Sequence, residues 1–170
     1  MSKRPIDKSR FSFAVLTLSD KGSVGLREDT SGAHLTATLK AEGYREAAYK
    51  IIADKKDLII SELLSFVEQG IDLVVTTGGT GVAPADVTPE ATLEVIERET
   101  PGISEAMRYE SLKKTPHAML SRGVSGIRET TLIINLPGSL KAVRENIEVV
   151  LAALPHALDK INGGKSDCGS

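Results

Sequence analysis

The sequence has a single cysteine, Cys168, no tryptophan and only 4% aromatic residues among 170. One thiol excludes an internal disulfide and a cysteine zinc cage, so the fold must be held by packing and hydrogen bonds. No apolar run approaches the ~20 residues that a helical membrane span needs. Charge of one sign is also lacking: 21 Lys and Arg stand against 23 Asp and Glu, a net charge of −2. This balance argues against the broad basic field with which proteins grip nucleic acid. The opening stretch MSKRPIDKSR is polar and has no apolar core of a secretory signal. With 41% hydrophobic and 26% charged residues, the composition is that of an ordinary globular protein. The expectation is one soluble cytoplasmic domain that uses neither a membrane nor a nucleic acid.

Residues 1–10 are expected to form a flexible arm, 11–162 a single domain, and 163–170 a disordered tail. Phe11 to Leu18 (FSFAVLTL) predicts a strand, and Tyr44 to Ile52 a second, weaker one. Ile71 to Thr76 (IDLVVT) reads as a strand buried on both faces. A hairpin is expected to turn near Arg128 to Thr130 and lead into Leu132, Ile133 and Ile134. Helices fall between these runs. Asp29 to Gly32 supplies short polar oxygens for a helix start, and Leu35 and Leu39 share a face. Ile59, Leu63, Phe66 and Val67 recur at helical spacing. Thr88-Pro89-Glu90 predicts a start with a Thr cap, proline in the first turn and an acid beside it. Residues 103–114 read as another helix. The last buries Val143, Ile147, Val150, Leu151 and Leu154, with Pro155 as the place for a kink.

Strands alternating with amphipathic helices predict a three-layer α/β domain. In such domains ligands bind beyond the carboxyl ends of the strands. That rule gathers three polar loops on one rim: Ser19 to Thr30, Thr77 to Thr88, and Pro137 to Ser139.

Four groups of residues on this rim carry chemistry, and each has a plainer reading beside it. Thr76-Thr77-Gly78-Gly79-Thr80-Gly81 is either an anion nest of backbone N–H groups or a turn that ends a strand. It is not a G-x-G-x-x-G loop, because position 84 is proline. Gly164-Lys165-Ser166 mimics the end of a phosphate loop, but Asp159 stands where its first glycine must be. The second group is acidic: Asp20, Asp29, Asp54 and Asp86. Carboxylates near phosphates need a cation between them, and Mg²⁺ suits one or two of them. The alternative for Asp54 is an N-cap of the next helix, with Asp57 completing a capping box. The alternative for Asp86 is an Asx turn. In the third group Arg122 can clamp a phosphate and Ser121 can donate to one, or Arg122 is a surface ion pair. In the fourth, Gly138 and Ser139 open the last helix, as an anion site or as a plain cap. The histidines His34, His117 and His156 show no metal-ligand spacing.

The ordered combination is more specific than its parts. Leu18-Ser19-Asp20, Asp29-Thr30-Ser31-Gly32, TTGGTG at 76–81, DVTPEAT at 86–92, Pro101-Gly102, Leu120-Ser121-Arg122 and Leu136-Pro137-Gly138-Ser139 occur in one order. This order resembles the molybdopterin adenylyltransferase family, the MogA/MoaB type related to the G domain of gephyrin, over about residues 11 to 161. Competence-associated proteins with a related domain usually carry a different residue at Thr80.

The resemblance implies a three-layer α/β/α sandwich with a mostly parallel sheet, assembled as a homotrimer. It implies that the terminal phosphate of molybdopterin attacks the α-phosphate of ATP, the co-substrate, with Mg²⁺ assisting and pyrophosphate leaving. A molybdenum insertion enzyme is the implied downstream partner. By residue match, Asp54 and Asp86 stand for the family's two functional aspartates and for the Mg²⁺ ligands. Ser121 matches a serine at the molybdopterin end. Ser19, Asp20, Gly78, Gly79, Thr80 and Gly81 would line the site, and Arg122, Gly138 and Ser139 complete the substrate-binding set. Two positions depart from the pattern: Ala53 where proline is common, and Ala85 where arginine is common. Lys55, Lys56 or Arg27 would have to supply the missing charge. The alternative reading is a non-catalytic, molybdopterin-binding or scaffolding paralogue of the same fold.

Overall fold

The structure is a computed structural model that describes residues 6–164. The outer part of the expected arm and nearly all of the expected tail, including Lys165, Ser166 and Cys168, lie outside the described residues. Strands β1 (Ser12–Leu18), β2 (Arg45–Ile52), β3 (Leu73–Thr77), β4 (Arg98–Glu99), β5 (Ser125–Arg128) and β6 (Thr131–Leu136) form one sheet, in the order β2-β1-β3-β6-β5-β4. The β1/β2, β1/β3 and β3/β6 pairings are parallel. The β5–β6 hairpin and the short β4 beside it are antiparallel. The helices are α1 (Asp20–Ser23), α2 (Thr30–Ala41), α3 (Lys56–Glu68), α4 (Thr88–Val95), α5 (Pro101–Leu112), α6 (Leu140–Leu151) and α7 (Leu154–Ile161). This is the expected three-layer sandwich. Among the described residues, no helix is long and apolar enough to cross a membrane.

The layers follow from strand periodicity, because successive side chains leave opposite faces of a sheet. Phe13 and Val15 of β1 join a core with Leu35 and Leu39 of α2 and Val143 and Ile147 of α6. Ala14, Leu16 and Leu18 turn the other way, onto Ile59, Leu63 and Phe66 of α3 and Ala91 and Val95 of α4. β3 and β6 divide alike: Val75 and Ile134 face the first core, Val74 and Ile133 the second. Burial on both faces goes with the mostly apolar sequences of β1, β3 and β6, every residue of which is buried.

Local differences from the sequence reading have identifiable causes. The last helix is two helices, α6 and α7, because Pro155 has no N–H and its ring crowds the carbonyl one turn back. Thr88 is not a cap: Val87 occupies that position, and the Thr88 hydroxyl donates to the Gly78 carbonyl instead. Pro101 and Gly102 do not precede a helix but open α5. Asp20 to Ser23 adds a one-turn helix capped by Ser19. The inner part of the expected arm is folded: Lys8–Arg10 makes a 3-10 turn, and Ile6 packs on the first core.

β2, β1, β3 and β6 run in one direction, so their carboxyl ends line a single rim. The chain leaves β1 toward β2 on one side and returns to β3 on the other. The crevice of a parallel sheet opens at such a reversal.

Phe66 is fully buried in the second core, whereas Leu93 is 45% exposed. Phe66→Ala is therefore expected to cost about 3–5 kcal/mol in urea unfolding, and Leu93→Ala less than about 1.

Candidate active site at the strand ends

The rim is built by backbone contacts between loops. Ser19 N–H donates to the Ile52 carbonyl, 2.9 Å, joining the ends of β1 and β2. Gly78 N–H donates to the Leu136 carbonyl, 3.2 Å, joining the ends of β3 and β6. Gly78 and Gly79 have φ of 105° and 63°, in the left-handed region. A Cβ on Gly78 would collide with the Leu18 carbonyl oxygen, and one on Gly79 with the Thr88 hydroxyl. The Thr88 hydroxyl donates to the Gly78 carbonyl at 3.0 Å, and its N–H donates to the Gly79 carbonyl at 3.1 Å, which closes the turn. Thr77 Oγ1 donates to the Pro137 carbonyl (2.7 Å) and Ser31 Oγ to that of Gly138 (2.9 Å), so the loop after β6 is pinned from both sides.

Asp54 follows β2 and does not cap α3; Lys55 holds that position without a side-chain bond. Instead, Asp54 N–H donates to Asp20 Oδ1 and Asp20 N–H donates to Asp54 Oδ2, both at 3.1 Å. Burial pushes the Asp54 carboxyl above the ordinary carboxylate range; the Asp20 N–H opposes this, and the charges of Asp20 and Asp86 add to it. Asp86 does make the Asx turn: its Oδ2 accepts from Ala83 N–H at 2.9 Å. Asp29 caps α2 through Gly32 N–H, 2.8 Å. It also accepts from Thr17 Oγ1 at 2.5 Å and from the Tyr49 hydroxyl at 2.6 Å. Burial, together with this bond to Asp29, raises the Tyr49 hydroxyl above its ordinary range, so it stays a donor.

Two clefts meet at this rim. One, of about 420 Å³, is polar and lies over the ends of β1 and β3; Ser19, Arg27, Asp29, Asp54 and Gly78 line it. The other, of about 460 Å³, opens between α5 and α6 and has apolar walls from Met107, Leu120 and Ala142. Gly79, Asp86, Gly138 and Ser139 border both.

The profile of a family described as a probable molybdopterin binding domain matches residues 14–156. The chain is 47% identical over 152 residues to the molybdopterin adenylyltransferase of Helicobacter pylori strain ATCC 700392 / 26695, covering 88% of this chain and 86% of that protein. It is 45% identical over 158 residues to gephyrin of Dictyostelium discoideum, covering 87% of this chain but 22% of that longer protein. The crystal structure of the molybdopterin biosynthesis enzyme MoaB from Thermus thermophilus superposes with a TM-score of 0.85 at 48% identity, covering 90% of this chain and 97% of that one. The chain belongs to the molybdopterin adenylyltransferase family.

Within this family member, the sequence-selected residues fall in different places. Ser19, Asp54 and Gly78 line the polar cleft; Thr80, Gly81 and Ser121 line the apolar-walled one. Asp20 lines neither and is exposed; it reaches the site through its reciprocal bonds with Asp54. Arg122 also lines neither cleft. Its guanidinium is taken up by the Gly81 and Asp86 carbonyls and by Glu90, so it is not aimed at an incoming phosphate. Ser139 caps α6 through Ala142 N–H while bordering both clefts. Ala85 lines the polar cleft, so the departure from the family's arginine falls inside it. Of the candidate replacements, Arg27 reaches that cleft, whereas Lys56 pairs with Glu94.

The sequence reading missed the α5 wall: Ser104, Met107, Arg108 and Ser111 face the second cleft. Their i, i+3, i+4, i+7 spacing was the available signal, a helix face that mixes small polar groups with one arginine. Arg108 donates to the Gly123 carbonyl at 2.9 Å. His117, one of the histidines without metal-ligand spacing, also lines this cleft.

The raised Asp54 carboxyl carries a stability consequence. The folded state holds the Asp54 proton more tightly than the unfolded chain does. Folding is therefore favoured at low pH, and that contribution is lost as pH rises through the folded-state value. Asp54→Asn removes the ionised group. Its melting temperature at pH 7 should equal or exceed the parent's, with a margin that shrinks toward pH 4. A variant less stable than the parent at pH 7 but not at pH 4 would contradict this.

Proposed function

We propose that the protein transfers AMP from ATP to the terminal phosphate of molybdopterin. A phosphate oxygen of the pterin forms a bond to the α-phosphorus. The bond from that phosphorus to the bridging oxygen of pyrophosphate breaks, and pyrophosphate leaves with its electron pair. The observation that carries this reading is the shared wall of Gly79, Asp86, Gly138 and Ser139 between a polar and an apolar-walled cleft. A reaction that joins two substrates needs such a wall, because most of the gain comes from holding the reacting atoms in line. The polar cleft suits a triphosphate over the glycine turn, and the apolar-walled cleft suits a flat pterin.

The side chains fit a magnesium ion. Asp54 and Asp86 share the polar cleft; burial above all, with the charges of Asp20 and Asp86 added, raises the Asp54 carboxyl, and a cation there would favour its ionised form. Among the described residues, no group of three or more His, Cys, Asp or Glu side chains is placed to hold a metal. Two carboxylates with phosphate and water as the remaining ligands is the Mg²⁺ pattern. When bound there, Mg²⁺ neutralises charge developing on the phosphates. Asp54 and Asp86 hold it, the N–H groups of the glycine turn and of the α6 start orient the anionic groups, and Ser121 contacts the pterin end.

We further propose a cytoplasmic homotrimer that passes its product to a molybdenum insertion enzyme. Closed cyclic assembly is usual for such chains. Tyr109, Leu112, Met119 and Leu120 leave apolar surface exposed beside the second cleft, which a second copy would cover. The non-catalytic reading keeps one observation, Ala85 in the polar cleft.

Purified protein given molybdopterin and Mg-ATP is expected to release pyrophosphate and form adenylylated pterin, detected by mass. Asp86→Asn is expected to lower turnover at least ~100-fold with the fold intact. Pterin binding without ATP affinity and without pyrophosphate would instead identify a scaffold.

A further inference from the structure

We infer that Arg122 is a positioning residue: it staples the loop that carries Asp86 to the wall that carries Ser121, so the two clefts are set as one unit. A guanidinium is a rigid plane with five N–H donors. In Arg122, Nε donates to the Gly81 carbonyl and Nη2 to the Asp86 carbonyl, both at 2.6 Å. Nη1 donates to Glu90, and Nη2 reaches the second Glu90 oxygen at 3.4 Å. The hydrogen bond from Arg122 holds the Glu90 carboxyl below the ordinary carboxylate range. One plane therefore grips both ends of the loop 81–86, and Glu90 of α4 holds that plane in register.

The loop has little else to fix it. Val82, Ala83, Pro84 and Ala85 are exposed. The two bonds between Ala83 and Asp86 are internal to the turn and tie it to nothing. On the other side, Arg122 N–H donates to the Thr80 carbonyl at 2.9 Å, so the segment holding Ser121 is anchored to the same glycine loop. Ser121 faces the apolar-walled cleft, and Asp86 borders both. Movement of either wall is thus carried to the other through one side chain. A misplacement of about 1 Å at the reacting groups is worth ~100-fold in rate.

The kinetic part rests on the reaction proposed above; the structural part does not. Four variants test it: Arg122→Gln, Arg122→Lys, Glu90→Gln, and Arg122→Gln combined with Asp86→Asn. In Arg122→Gln, amide hydrogen exchange at 81–87 should quicken at least ~10-fold while β3 stays protected. Glu90→Gln should give a smaller effect in the same place, and it carries the test if Arg122→Gln does not fold. Turnover should fall ~30- to 100-fold in Arg122→Gln, and nearly as far in Arg122→Lys, whose single ammonium lacks the planar fork that reaches both carbonyls and Glu90 at once. The KM for ATP should move less than ~3-fold, and the double variant should be no slower than Asp86→Asn alone. Unchanged exchange at 81–87 overturns the staple. A raised KM with unchanged kcat would make Arg122 an anion ligand, and additive losses would uncouple it from Asp86. If the parent forms no adenylylated pterin, the reaction reading fails, and the exchange comparison still decides the staple.

Discussion

The ends of three strands meet at the backbone of Gly78. Its N–H donates to the Leu136 carbonyl, and the Leu18 carbonyl occupies the space a side chain would need. A Cβ on Gly138 would come within 3.3 Å of its Cα. With no side chains between them, the loops after β1, β3 and β6 close to backbone distance. Everything at the rim depends on this packing. It brings Asp54, which hangs on the β1–β2 junction, and Asp86, which follows the glycine turn, to one polar cleft.

That convergence has an electrostatic cost. Burial, with the charges of Asp20 and Asp86 added, acts against the ionised Asp54 carboxyl, and Arg27 lines the same polar cleft. Such an arrangement is poor for stability and suited to holding a cation against phosphates. The apolar-walled cleft has a different character. Arg108, Ser111 and Asn146 are set among methyl and thioether groups there, a mixture that suits a flat polar heterocycle.

Much of this is legible in the sequence, for physical reasons. FSFAVLTL and IDLVVT stand out because both faces of β1 and β3 are covered, whereas REAAYKII of β2 is an edge strand with most side chains in solvent. Strand order and the rim rule then gather the loops, and the family likeness adds the pairing of Asp54 with Asp86. What escaped depends on tertiary partners. Thr88 does not cap α4 because it lies inside the helix, with Val87 at the cap position, and its hydroxyl donates to the Gly78 carbonyl. Arg122 reads as either a phosphate clamp or a surface ion pair, and only the fold shows the Gly81 and Asp86 carbonyls that share its guanidinium with Glu90. The α5 wall carries no loop motif, so only its helical spacing could have pointed to it.

Whether nucleotide phosphates and the pterin meet at the wall shared by the two clefts is decided by a crystal structure with Mg²⁺ and a non-hydrolysable ATP analogue. The triphosphate is expected over Gly78 and Gly79, with the cation between Asp54 and Asp86 and the α-phosphate facing the cleft of Ser121. A nucleotide seated between α5 and α6, or a cation away from both aspartates, would contradict it.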